Sequence, residues 1–179
     1  MNVAFKEWAL VCEALGSGRQ SVILRKGGIA EGRDGFAFKH GKFFLFPTWF
    51  HEQVGKTVLP PETLVPEQIE GEIEVRYAAE LEWSRLVADK AMLEALRPFH
   101  ILADSVLEDR FHYDEPQGLQ VGFVRVFKLN PARRLEMRPA FGGCRSWVDI
   151  PDLSDATLVS VLSDDEHSSR REELARILS

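Results

Sequence analysis

Cysteine is scarce in this chain. Cys12 and Cys144 are the two cysteines in 179 residues, far apart and without C-x-x-C spacing, which excludes a disulfide scaffold and a zinc framework and leaves reduced thiols as the expectation. Long apolar runs are missing too. No stretch approaches the roughly 18 residues of a membrane span, and Met1–Trp8 has no basic region leading into an apolar segment, so the reading is a cytoplasmic protein with no membrane association. There is no excess of positive charge: 22 Lys and Arg stand against 28 Asp and Glu, a net charge of −6. The whole-molecule basic field that marks nucleic-acid and membrane binders is therefore absent. The G-x-S-x-G and H-E-x-x-H signatures are also absent, which removes the common serine-hydrolase and zincin routes. Gly16-Ser17-Gly18 leads into a β-branched segment rather than a helix, so it is not a phosphate loop. Neither a metal nor a cofactor is expected.

What is present is a globular composition, 45% apolar, 10% aromatic and 28% charged, in a chain long enough for one core. Trp8–Leu15 and Gln20–Leu24 read as a hairpin about Gly16–Arg19, and Phe36–Phe38 with Phe43–Phe46 as a second, deeply buried one. Pro47 ends that strand, and Thr48 is placed to cap a short helix from Trp49 carrying His51. Pro60, Pro61 and Pro66 mark an extended connection. Ile69–Tyr77 alternates apolar and charged residues as a half-buried strand does. Short helices are expected over Lys90–Leu96 and Ser105–His112, the latter capped by Asp104. Leu119–Leu129 is the clearest strand, followed by further strand through Leu135, Trp147 and Ile150 with a turn at Gly142-Gly143. The expectation is an α+β protein: residues 1–150 form one domain around a curved, mostly antiparallel sheet or partly open barrel. Residues 151–179 form an acidic segment ending in a helix, with Leu174, Ile177 and Leu178 as its sparse apolar contacts.

Charge is unevenly spread. Basic residues outnumber acidic ones eight to five in 1–58 and six to two in 119–149, whereas acidic residues lead fourteen to five in 59–118 and seven to three in 150–179. If the two basic blocks share a sheet, Arg19, Lys26, Arg33, Lys39 and Lys42 join Arg133, Arg134, Arg138 and Arg145 in one phosphate-suited surface. The alternative is a set of solvated loop charges.

Strand alternation sets Arg125 on the apolar face of Leu119, Val121, Phe123, Phe127 and Leu129. A bare buried guanidinium is too costly, so Arg125 must meet a carboxylate, line a wet pocket or sit at the sheet rim. Glu13, flanked by Ala9, Val11 and Leu15, is a natural partner. In the first hairpin's register Glu13 faces Val22 and Arg25 points to the other side, which leaves Lys26 or Arg125 to neutralise it. Among the histidines, His100, Asp104 and His112 match no metal spacing, and His112 lies one helical turn after Glu108. His51, at a strand-to-helix corner, can reach a cleft or serve as a half-buried capping residue. Trp8, Trp49, Trp83 and Trp147 are packing anchors first and stacking platforms second. For a metal-dependent nuclease, Ile23–Lys26 supplies the lysine of an E-x-K pair without its acid.

Phe5-Lys6-Glu7-Trp8-Ala9, Leu24-Arg25-Lys26-Gly27-Gly28-Ile29, Phe44-Leu45-Phe46-Pro47-Thr48 with His51, and Gly143-Cys144-Arg145-Ser146-Trp147-Val148 together resemble the prokaryotic domain-of-unknown-function 1802 family. His100-Ile101, Arg110-Phe111 and Arg125-Val126 belong to the same pattern, which runs from about Ala4 to Ile150 with the acidic tail peripheral to it. The resemblance implies which motifs travel together and assigns none of them an activity. Its residues coincide with the unusual ones above, which points to a shared pocket. The hairpin-rich order is also similar, in architecture alone, to small partly open barrels of the pseudouridine-synthase-associated class. The expected function is binding of nucleic acid or a nucleotide-like anion through Arg25, Lys26, His51, Arg110, Arg125 and Trp147. A phosphodiesterase-like or nuclease-like enzyme with His51 and Glu13 as catalytic candidates is the alternative, and a protein-interaction module docking a basic partner is a third.

Overall fold

The computed structural model describes residues 1–26, 36–113 and 116–179. Gly27, Gly28, Ile29 and Arg33 lie outside the described residues. Among those described, one sheet contains β1 (Val3–Trp8), β2 (Val22–Arg25), β3 (Lys42–Thr48), β4 (Glu72–Val87), β5 (Leu119–Glu136), β6 (Trp147–Asp149) and β7 (Thr157–Ser160). Its order is β2-β5-β4-β3-β1-β6, with β7 added along β5. Every pairing is antiparallel except β1 with β3. The helices are α1 (Ala9–Gly16), α2 (Lys90–Ala95), α3 (Asp104–His112) and α4 (Asp164–Ile177). This is the expected α+β class, with the sheet not closed into a barrel. Among the described residues no helix is long and apolar enough to cross a membrane.

The first hairpin is not formed. Residues 9–16 are helical, entered directly from β1, and Ala9, Leu10, Val11, Cys12, Ala14 and Leu15 are all buried. A short helix that is apolar all round has the same pattern as a buried strand, and here tertiary burial selects the helix. Its free N-terminal amides find partners elsewhere. The fully buried Gln53 accepts from Leu10 N–H (3.1 Å) and donates to Thr48 O (2.8 Å), while the Glu7 carboxylate accepts from Trp8 N–H (2.9 Å). At the other end, Gly16 lies against the ring of Tyr77, where a Cβ would come within 2.1 Å of ring carbon.

Phe36–Phe38 is not a strand either, although Phe36 is buried. β3 is buried on both faces as expected: Phe43 and Leu45 enter the larger core with α1, α3 and α4, and Phe44 and Phe46 a smaller one with Ile73, Val75 and Phe141. Each such ring contributes roughly 1.5–3 kcal/mol by burial. No helix starts at Trp49. Thr48 instead ends β3 by donating to Glu7 O (3.0 Å), and Trp49–Gln53 forms a turn with His51 exposed. Asp104 is the first residue of α3 rather than its cap.

The C-terminal helix starts at a capping box, in which Ser163 and Glu166 bond reciprocally. Leu174 and Leu178 enter the core, and Glu82 accepts from His167 Nε2 (2.7 Å) and from Arg171 (2.7 and 2.8 Å). Arg125 sits at the rim rather than inside. It donates to Ser160 Oγ (3.4 and 3.3 Å) and pairs with Asp164.

Glu13 meets neither Arg125 nor Lys26. Because 9–16 is a helix, Glu13 faces β4 and accepts from Arg76 Nη1 (3.2 Å) and Tyr77 Oη (2.9 Å). Burial, reinforced by the charge of Glu13, pushes the Tyr77 phenol well up.

Candidate functional site

The sheet curls until its two edges face each other, and among the described residues side chains rather than backbone bridge the gap. Arg25, the last residue of β2, donates from Nη2 to Lys6 O on β1 (3.3 Å) and to Ser146 Oγ just before β6 (3.1 Å). Lys6 N–H in turn donates to Ser146 O (2.8 Å). Aromatic rings fill the space behind. Phe5 contacts Phe36 (5.8 Å), Phe43 (5.6 Å) and Trp147 (4.9 Å), and the Arg25 guanidinium lies 5.0 Å from the Phe5 centroid. Arg25 Nε and Trp147 Nε1 are buried there without a hydrogen-bond partner.

Arg110 reaches the same gap from α3. Its Nη1 donates to Leu24 O (2.7 Å) and its guanidinium lies 5.0 Å from the Trp8 centroid. Burial lowers its pKa to about 10, with Glu7 opposing that change and Arg25 adding to it. Lys6 donates to Gly142 O (3.2 Å) and Gly143 O (3.0 Å). Burial lowers its pKa as well, followed by repulsion from Arg145. Lys26 donates to Pro116 O (2.6 Å).

Several cations elsewhere are neutralised by carboxylates, whereas Arg85, Arg170 and Arg176, like these, donate to carbonyl or hydroxyl oxygens. Lys42 pairs with Glu80, Arg76 with Glu13 and Glu74, Arg97 with Asp104, Arg125 with Asp164, Arg133 with Asp155, and Arg134 with Glu74. Each carboxylate cancels its partner's charge. Lys6, Arg25, Lys26 and Arg110 are held by carbonyl and hydroxyl oxygens, which orient a cation and leave its charge intact. Glu7, 3% exposed, acts on Arg110. Of the broad surface expected from two basic blocks, Lys42, Arg133 and Arg134 are neutralised locally.

Of the residues singled out by sequence, the fold brings together Arg25, Arg110 and Trp147, and Lys26, next to Arg25, reaches Pro116 O instead. The fold does not bring Arg125, which lies five residues along β5 from the partner of Arg25, roughly 17 Å at the strand rise. His51 is exposed and makes no hydrogen bond to Glu13, whose carboxylate already has two donors. Among the described residues no group of three His, Cys, Asp or Glu is placed to hold a metal. His100 is buried with Nδ1 accepting from Leu102 N–H (3.1 Å), and His112 pairs with Glu108 (3.1 Å), so both are structural. Sequence reasoning passed over Lys6, Glu7, Trp8 and Ser146 as site residues. The available signal was a charged Lys6-Glu7 pair inside the otherwise apolar run Val3–Cys12.

A family model described as "Domain of unknown function (DUF1802)" matches residues 4–173, so it extends beyond Ile150 into β7 and α4. No curated protein matches the chain. Among solved structures the chain is similar to ASCH from Zymomonas mobilis, with a TM-score of 0.49, 13% identity and coverage of 95% of this chain and 93% of that one. Two mutant crystal structures of that protein give TM-scores of 0.47, at 12% and 13% identity, covering 96% and 95% of this chain and 94% and 96% of theirs.

Proposed function

The chain belongs to the DUF1802 family, and for this member we propose that the mouth between the two sheet edges binds the phosphates of a nucleic acid or nucleotide-like anion. One observation carries the reading: Arg25 and Arg110 approach each other with neutral oxygens as their hydrogen-bond acceptors, Lys26 follows Arg25 directly, and among the described residues Glu7 is the carboxylate that acts on Arg110. A guanidinium already oriented by a carbonyl loses little freedom when an oxyanion arrives, and its remaining N–H groups match phosphate geometry. The net acidity of the chain then limits indiscriminate binding, since the rest of the surface repels polyanions.

The test is fluorescence anisotropy with single- and double-stranded DNA and RNA across a salt series, with and without magnesium or manganese. The binding constant falls linearly with salt on logarithmic axes, and Lys26→Ala and Arg25→Gln each flatten that slope by about one phosphate contact. Absence of binding at low salt overturns the reading, and so does unchanged binding by both variants once circular dichroism shows them folded.

A further inference from the structure

Beside the cationic mouth lies an opening with aromatic walls and no cation. β3 ends at Thr48, whose hydroxyl bond to Glu7 O ties the following turn to the strand end carrying Glu7 and Trp8. Trp49 Nε1 donates to Pro66 O (2.8 Å), which pins the proline-rich connection across that turn. Between them is a depression of about 330 Å³, open to solvent and lined by Trp49, Phe50, His51, Val65, Pro66 and Gln68. Phe50 is 38% exposed and meets the Trp8 ring edge-on at 4.9 Å, while the Arg110 guanidinium covers Trp8 at 5.0 Å. Two successive contacts thus lead from a phosphate-suited cation to an exposed phenyl ring. The distance is within one nucleotide's reach.

We propose that this depression is a nucleobase subsite and that the ligand of the mouth is a single-stranded polynucleotide, one of whose unpaired bases stacks on Phe50. The proposal rests on the phosphate-binding reading above and adds the strandedness of the ligand. Every base offers a π-face to an aromatic wall, but a base inside a duplex hides both faces, so only an unpaired one enters. The volume exceeds that of a purine and leaves room for the chain to continue. The imidazole of His51 and the carboxamide of Gln68 stand on the rim, where they supply both donors and acceptors to a base edge. Among the described residues no Lys or Arg lines the depression, and Glu52 and Glu67 flank it in sequence, which suits an uncharged base and disfavours a second phosphate.

The experiment uses the full chain with single-stranded oligonucleotides carrying 2-aminopurine, the matching abasic strand and the duplex. Stacking quenches the 2-aminopurine emission on binding. Phe50→Ala weakens single-strand affinity about tenfold, within the range for one base–aromatic stack, and leaves the salt slope unchanged. Phe50→Leu, which keeps apolar bulk without the ring, weakens it similarly, and Phe50→Tyr restores it. The abasic strand binds wild type and Phe50→Ala alike. Normal salt-dependent binding that ignores Phe50→Ala and Phe50→Leu, or a duplex bound as tightly as the single strand, overturns the base subsite and leaves phosphate binding standing. A wild-type protein that binds no strand at low salt overturns both. Binding of an apolar peptide by the depression in place of the strand also overturns the base subsite.

Discussion

His100 ties the stability of this fold to mild acid, and the size of the effect can be worked out. It is 5% exposed; Nδ1 accepts the Leu102 amide proton at 3.1 Å, and Nε2 is buried without a partner. The imidazole is therefore neutral with its proton on Nε2. A second proton would place a donor on Nδ1 against the N–H it now accepts. Burial, followed by repulsion from Arg97, lowers the pKa from 6.5 to about 4. Below pH 6.5 the unfolded chain takes up a proton that the folded chain refuses until about pH 4, so stability falls as pH drops through that window. A difference of between two and three units corresponds to about 3 kcal/mol lost by pH 4. The lowered carboxylates Glu74 and Glu82 add to acid destabilisation only below their ordinary value of 4.5, so the interval from pH 6.5 to 5 reports chiefly on buried histidine. Urea unfolding at pH 7, 6 and 5 measures it. His100→Asn, whose amide oxygen can accept the Leu102 N–H, removes about one proton's worth of pH slope. Parallel slopes for wild type and His100→Asn refute the reasoning.

Two further variants probe close packing and the rim. Gly16→Ala places a methyl group 2.1 to 2.5 Å from three carbons of the Tyr77 ring, pushing its hydroxyl off Glu13. A loss of about 1–3 kcal/mol is expected, lowering Tm by about 2–4 °C per kcal/mol, and an unchanged Tm refutes the close approach. Arg125→Ala breaks an ion pair whose acidic partner is 84% exposed, so it costs no more than about 1 kcal/mol in a urea titration and leaves the salt slope of nucleic-acid binding unchanged. A binding loss equal to that of Arg25→Gln would return Arg125 to the site.

What the sequence disclosed follows from which patterns are local. β5 and the first part of β4 were legible because their alternation is sustained, and α4 because its sparse apolar residues Leu174, Ile177 and Leu178 recur at helical spacing. α1 was not, since eight mostly apolar residues look alike as buried strand or buried helix, and the caps that decide the matter come from Gln53, more than forty positions away. Losing that helix misdirected the search for the partner of Glu13. A strand would have aimed it across a hairpin at β2, whereas the helix aims it at Arg76 and Tyr77. Arg125 was correctly singled out as needing a carboxylate or a rim position, but its carboxylate is Asp164 on the terminal helix. Arg25 and Arg110 were legible as unusual residues and, through the resemblance, as sharing a pocket. How they meet was not, because it depends on the curl of the sheet.

That curl connects the fold to the site. An open sheet leaves unpaired backbone groups along both edges, and proteins cover them with loops, helices or charged side chains. Among the described residues β2 and the β1–β6 edge approach without pairing, and Arg25 spans the remaining distance to Lys6 O and Ser146 Oγ. A closed ladder at this point would have consumed the carbonyls and left neither gap nor charge. Closure by side chain requires a long residue with several donors, and arginine keeps its full positive charge while making those bonds. The incomplete barrel and the cationic mouth are thus two descriptions of one geometry. Any anion held between Arg25 and Arg110 would bridge the sheet edges that backbone pairing leaves open.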